Sequence, residues 1–140
     1  MIRRGTIDDV DDLVELAKLA HSLSPYKSVA YDETQIRRIA LLSVSTDLMV
    51  CFVSDRNGVV GVLIGGLGPN IWGAMTASDH MVFVKEPGDG PGLVKAFHEW
   101  ANQFGVLITM TNSFGDERYD RFLEGLGMMC IGKQFIGGFK

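Results

Sequence analysis

Apolar positions along the chain switch between two periods, and the switches mark out its elements. Val10, Leu13, Ala17 and Ala20 recur at helical spacing with acidic residues opposite, which predicts an amphipathic helix. Thr6, followed three residues on by Asp9, opens that helix with the pattern of a capping box, in which side chains satisfy otherwise orphan amides. Ahead of it, residues 2–5 read as a short strand. Ser22, Ser24, Pro25 and Ser28 make residues 21–31 a loop, and Asp32 with Gln35 starts a second helix that turns Ile36, Ile39 and Ala40 inward.

The period then shortens. Residues 48–54 and 59–66 are β-prone runs on either side of Asp55-Arg56-Asn57-Gly58, and an Asn-Gly there predicts a hairpin because both central turn residues need positive φ. A loop from Gly68-Pro69-Asn70 through Gly73 leads to a strand over residues 77–84. After the turn 85–92, Leu93, Ala96, Phe97 and Trp100 fall on one helical face, with Pro91 suited to the first turn and Gly105 to the stop. Residues 106–110 read as a strand. Ser113 with Asp116 repeats the hydroxyl-and-carboxylate start, and a last helix follows with Tyr119, Phe122, Leu123 and Leu126 inward and Gly127 as its end. Residues 128–131 and 134–139 read as two closing strands. The order β-α-α-β-β-β-α-β-α-β-β predicts an α/β (α+β) protein whose mixed sheet is covered by helices.

Composition narrows the function classes. A chain of 140 residues, 46% apolar and 21% charged, suits one globular domain spanning residues 1–140. A formal charge of −4 without Lys or Arg runs argues against a nucleic-acid partner. No apolar run is long enough to cross a bilayer, and Asp8, Asp9, Asp11 and Asp12 follow the N-terminus where a signal peptide would be apolar, so no membrane and a cytoplasmic location are expected. Cys51 and Cys130, both in apolar runs, read as small buried hydrophobes in a reducing compartment, and no metal site is expected from two cysteines and three scattered histidines. The run Asp8–Asp12 reads as exposed charge favouring a helix N-terminus.

The most chemical stretch is Lys85-Glu86-Pro87-Gly88-Asp89-Gly90-Pro91-Gly92. Glycines let backbone N–H groups approach an anion, and a helix N-terminus carries partial positive charge, a combination suited to a diphosphate. Glycines at helix starts also serve tight turns, and Glu86 and Asp89 oppose an anion. No Gly-x-Ser-x-Gly elbow, Walker loop or His-Glu-x-x-His is present.

The order of elements resembles the GNAT superfamily of N-acetyltransferases, in particular its short bacterial and phage members, over nearly the whole chain. Ile2-Arg3-Arg4-Gly5-Thr6-Ile7-Asp8-Asp9 resembles the family's first strand and the start of its first helix. Asn57-Gly58-Val59-Val60-Gly61 resembles its turn and third strand, residues 79–84 and 93–101 its acyl-CoA motif, and Phe122-Leu123-Glu124-Gly125-Leu126-Gly127-Met128 its last helix and the segment after it. The resemblance implies a sheet of about six or seven strands flanked by four helices, acetyl-CoA as cosubstrate, and an amine of a small molecule or peptide as acceptor. It implies cofactor contacts by Val82, Phe83, Val84, Lys85, Gly88, Asp89, Gly90, Gly92 and Leu93, with Lys85 where the family has Arg or Gln. It favours Asp79 as base, with His80 as the other candidate and more a satisfied, partly buried imidazole; alternation along a strand puts Asp79 on a face with Met81 and Phe83, and His80 with Val82 and Val84. Leu123 stands where the family often has a tyrosine acid. Tyr119, one turn earlier, is a substitute or a core residue. His98 is expected to be solvated. Tyr26 and Tyr31 lie in the loop that covers the family's acceptor site, and pairing of two copies is expected through sheet edges or C-terminal strands. A non-catalytic member that keeps the fold for binding or assembly, phage-associated and with or without CoA, is the alternative.

Overall fold

The computed structural model describes residues 1–111 and 113–138. Among these, five strands, β1 (Ile2–Arg4), β2 (Met49–Asp55), β3 (Val59–Pro69), β4 (Met75–Val84) and β5 (Leu107–Thr109), form one sheet in that order. The first three pairings are antiparallel and the last is parallel. The parallel step is the one made through a helix, as a crossover requires. The helices are α1 (Val10–Leu23), α2 (Glu33–Ser45), α3 (Gly90–Asn102) and α4 (Glu117–Gly125), with a 3-10 turn at Ile7–Asp9 before α1.

Four helices match the expectation, and the strand count falls short of it. Residues 128–138 contain no strand, and Phe139 lies outside the described residues. Met129, Ile131 and Phe135 in this segment are exposed. The adjacent sheet edge, β5, is only three residues long, so it offers few ladder bonds to a further strand. The hairpin forms as expected, with Asn57 and Gly58 at φ 59° and 136°.

Side-chain partners mark the 3-10 turn before α1 and the starts of α2 and α4. The Thr6 N–H donates to Asp9 Oδ2 at 2.8 Å, the carboxylate half of the capping box. Asp9 is buried rather than part of an exposed acidic run, because Arg3 grips it through two hydrogen bonds of 2.8 and 3.0 Å. Arg3 also reaches Asp55 at the end of β2. The hydrogen bonds from Arg3 hold the Asp9 carboxyl below the usual carboxylate range. At α2, Asp32 accepts from the Gln35 N–H. At α4 the cap is Asp116 itself, accepting from the Arg118 and Tyr119 N–H groups, and not Ser113 as the spacing suggested.

The sheet carries an apolar layer on each face. Leu13, Val14, Cys51, Val53, Val62 and Ile64 pack on the α1/α2 side; Val50, Phe52, Leu63, Leu93, Phe97 and Trp100 pack on the α3/α4 side. Burial pushes the Cys51 thiol up to about 12, so it behaves as a small apolar side chain. Cys130, in contrast to its expected burial, is exposed. Leu126 lies just past α4 at the surface. His98 is half-buried rather than solvated. Its Nε2 is enclosed without a partner among the described residues, and burial lowers its pKa.

Candidate active site

The sheet forks at β4. Thr76, Ala77 and Ser78 pair with Leu107, Ile108 and Thr109 of β5, and the ladder goes no further. On the other side of β4, Gly65 of β3 faces Asp79 and Ile64 faces Met81, so His80 is an extra residue, a β-bulge. A bulge bends its strand and locally disrupts the ladder. It also shifts the side-chain alternation by one. Ala77 faces the α3/α4 layer, but beyond the bulge Met81 and Phe83 face the α1/α2 layer and Val82 and Val84 the α3/α4 layer. Strict alternation, which put Asp79 on a face with Met81 and Phe83, is therefore corrected, and His80 joins Met81 and Phe83 on the wall of one cavity.

Two glycines of β3 make room at the bend. A Cβ on Gly65 would overlap the Phe97 ring and lie 2.9 Å from the Ser78 carbonyl; one on Gly66 would lie 3.0 Å from His80 Nε2. Asp79 is buried, and its Oδ1 accepts from the Thr111 N–H at 2.7 Å and the Thr111 hydroxyl at 3.0 Å. It therefore tethers the segment after β5 to β4 at the point where the strands part.

Beyond the fork, the edge of β4 is open. The Lys85 N–H donates to the Val60 carbonyl at 2.9 Å. Because backbone direction alternates along an antiparallel strand, the N–H and C=O groups of Val84 and Val82 point away from β3, into the gap left by β5. A cleft of about 230 Å³ occupies that gap, lined by Val82, Phe83, Val84, Gly90, Ser113, Asp116 and Tyr119. The Tyr119 hydroxyl is enclosed and has no hydrogen-bond partner among the described residues. Burial, with the charges of Asp79 and Asp120, raises its pKa and keeps the phenol protonated.

The glycine-rich turn divides its labour. Gly88 adopts φ 119°, and Gly90, the first residue of α3, faces open space. Gly92 faces inward, where a Cβ would lie 3.0 Å from Ile2, and Leu93 is fully buried in the core. Lys85 is exposed. Asp89 accepts from the Ser54 hydroxyl at 2.6 Å and pairs with Arg56 at 2.7 Å. The Arg56 guanidinium holds its carboxyl below the usual range and offsets the charge that opposed an anion there.

A second cavity, of about 390 Å³, lies on the other face of β4, beneath α1, α2 and the segment joining them. Leu13, Ala17, Ile36, Ile39, Ile64 and Phe83 form most of its wall, and Tyr26, Tyr31, His21 and His80 line it too. Tyr31 donates to the Val14 carbonyl at 3.0 Å, and the Tyr26 ring meets Phe114 edge-on at 6.0 Å. His21 belongs to α1, which runs two residues past the expected start of the loop. Phe114 is the wall residue that sequence reasoning missed; its only local signal is an aromatic before Gly115 and the Asp116 cap.

No family model and no curated protein sequence matches the chain. Its structure matches solved ones. A transcriptional regulator from Bacillus halodurans C-125 superposes with a TM-score of 0.75 at 23% identity, covering 99% of both chains. The aminoglycoside acetyltransferase AAC(6')-Iy, solved with the bisubstrate analog CoA-S-monomethyl-acetylneamine, gives 0.74 at 13% identity over 100% of this chain and 97% of that one. A ribosomal-protein-alanine N-acetyltransferase from Brucella melitensis gives 0.66 at 12% identity over 99% of each chain. With its forked mixed sheet and four helices, the chain has the fold of the GNAT N-acetyltransferases.

Proposed function

We propose that the protein is an N-acyltransferase that moves an acetyl group from acetyl-CoA to a primary amine of a small molecule or peptide. The observation that carries this reading is the fork. It opens backbone groups of Val82 and Val84 into a cleft that also holds a helix N-terminus at Gly90 and an enclosed, unpartnered phenol at Tyr119. These groups fit an acyl-CoA. The open β4 edge can pair with the amides of a pantetheine arm, and the first α3 amides can meet a diphosphate. A neighbour of the same fold was solved with an analog built on CoA.

Acetyl-CoA brings a thioester whose carbonyl carbon accepts the amine nitrogen and whose sulfur leaves as thiolate. The β4 N–H at Val82 donates to the oxyanion that forms. Tyr119, kept protonated by burial, donates its proton toward the leaving sulfur. His80, at the surface on the wall of the second cavity, takes the proton that the amine gives up, and that cavity holds the acceptor. Asp79 positions the fork through Thr111 rather than reaching the acceptor. Two copies pair through the C-terminal segment, which would cover Met129, Ile131 and Phe135; sedimentation at micromolar concentration checks that.

The test is calorimetric titration of acetyl-CoA into the wild type and Gly90→Glu, followed by a CoA-release assay with amines. Binding by the wild type, loss in the folded variant and amine-dependent release support the proposal. No binding at millimolar acetyl-CoA overturns it. The second reading, a CoA-binding or assembly module without turnover, draws on the absence of a cation from the described cleft wall, and binding without release would favour it.

A further inference from the structure

We infer that the acceptor is a small monoamine on an apolar or aromatic body, and that polycationic amines are excluded. The inference rests on the acyltransferase reading for the reaction, but not for the shape and chemistry of the cavity. At about 390 Å³ the cavity is near the small end for ligand sites. None of the described residues lining it is Asp or Glu, and its floor and sides are Leu13, Ile36, Ile39, Ile64, Met81 and Phe83. The carboxylates that act on its wall, Glu15 and Glu33 on Tyr31, are both exposed and do not line it.

Its polar groups are few, and some are occupied. Tyr31 is bonded to the Val14 carbonyl. The Ser24 hydroxyl donates to the His21 carbonyl and accepts from the Tyr26 N–H. That leaves the Tyr26 hydroxyl, the imidazole of His80 and the enclosed His21 Nε2, which has no partner among the described residues, as polar groups for an incoming nitrogen. A single ammonium can reach this wall, lose its proton and enter as the neutral amine, and the apolar surroundings favour that loss by disfavouring the charged form. A second or third ammonium on the same molecule would be desolvated with no carboxylate to pair it, which is costly. An aromatic or branched alkyl body has the opposite balance, since its burial against Ile39, Ile64 and Phe83 is favourable.

The experiment uses the full chain with phenethylamine, isoamylamine, spermidine and kanamycin, read two ways: thermal shift with each amine alone, and CoA release with acetyl-CoA. The expected result is a shift with phenethylamine or isoamylamine and none with spermidine or kanamycin. In the release assay kcat/KM should favour the apolar amines by at least about tenfold. Ala20→Asp, a change at a half-buried position on the wall, should narrow that preference by admitting spermidine. A shift by apolar amines without CoA release leaves the cavity inference standing and removes the acyltransferase reading. Turnover of spermidine or kanamycin as fast as phenethylamine overturns the inference and keeps the acyltransferase. Failure of every apolar amine to shift the protein also overturns it, as does preferential use of hexanoyl-CoA over acetyl-CoA, which would assign the cavity to the acyl chain.

Discussion

The two hollows flanking β4 share Val82 and Phe83 yet differ in nearly everything else. The cleft toward α4 is small and bounded by open backbone, Gly90, Asp116 and an unpartnered phenol. The cavity toward α1 is larger and walled by aliphatic and aromatic side chains. One side offers directional hydrogen bonding, the other shape and apolar contact. A strand bent by one extra residue can present both within two positions, which suits a reaction that joins two unlike substrates.

The sharpest way to break this contrast is Tyr119→Phe. If the cleft is where the thiolate leaves, kcat falls by about 100-fold or more while acetyl-CoA affinity by calorimetry is unchanged. An unaltered kcat would return Tyr119 to core packing. Next is Gly65→Ala, which forces the Phe97 ring or the β4 backbone to move at the bend that separates the two hollows. Overpacking there should cost about 1–3 kcal/mol in urea unfolding.

A smaller effect is expected away from both hollows, at Arg3. The Asp9 carboxyl lies below its unfolded value, so its pairing stabilises the fold fully above the ordinary carboxylate range and is lost as pH falls through the folded value. Arg3→Met should remove about 1 kcal/mol at pH 7, discounted for the solvent that reaches Arg3, and should flatten the stability profile at and below the ordinary carboxylate range. The hollows should be untouched, so acetyl-CoA affinity stays the same. Smallest is Arg56→Ala, which leaves the Asp89 charge uncompensated at the start of α3. Acetyl-CoA affinity should weaken by about two- to fivefold. That difference should shrink in high salt.

What the sequence made legible was local. The helices follow from apolar spacing and their caps from Thr6, Asp9 and Asp32, because those signals act within a turn of chain. The hairpin follows from Asn57-Gly58. The bulge was hidden because Met81, Val82, Phe83 and Val84 are apolar at every position, so either alternation fits both faces. The closing strands failed for the opposite reason: residues 128–138 have strand-like composition, but a strand needs a partner edge and β5 offers only a short one. Of the glycine pattern at residues 88–92, Gly92 answers to Ile2, and the Asp89 charge to Arg56. Those partners are far away in sequence, and no local pattern announces them.

The extra residue at position 80 also gives the chain an unusual sensitivity to length. Substitutions along β4 alter one contact at a time, but deleting His80 would remove the bulge and restore a regular strand without exchanging the faces of the residues after it. Met81 and Phe83 would stay toward α1 and α2, Val82 and Val84 toward α3, and the bend where β4 parts from β5 would straighten. Loss of this one residue, rather than its replacement, is the change that would convert a two-substrate scaffold into a plain sheet.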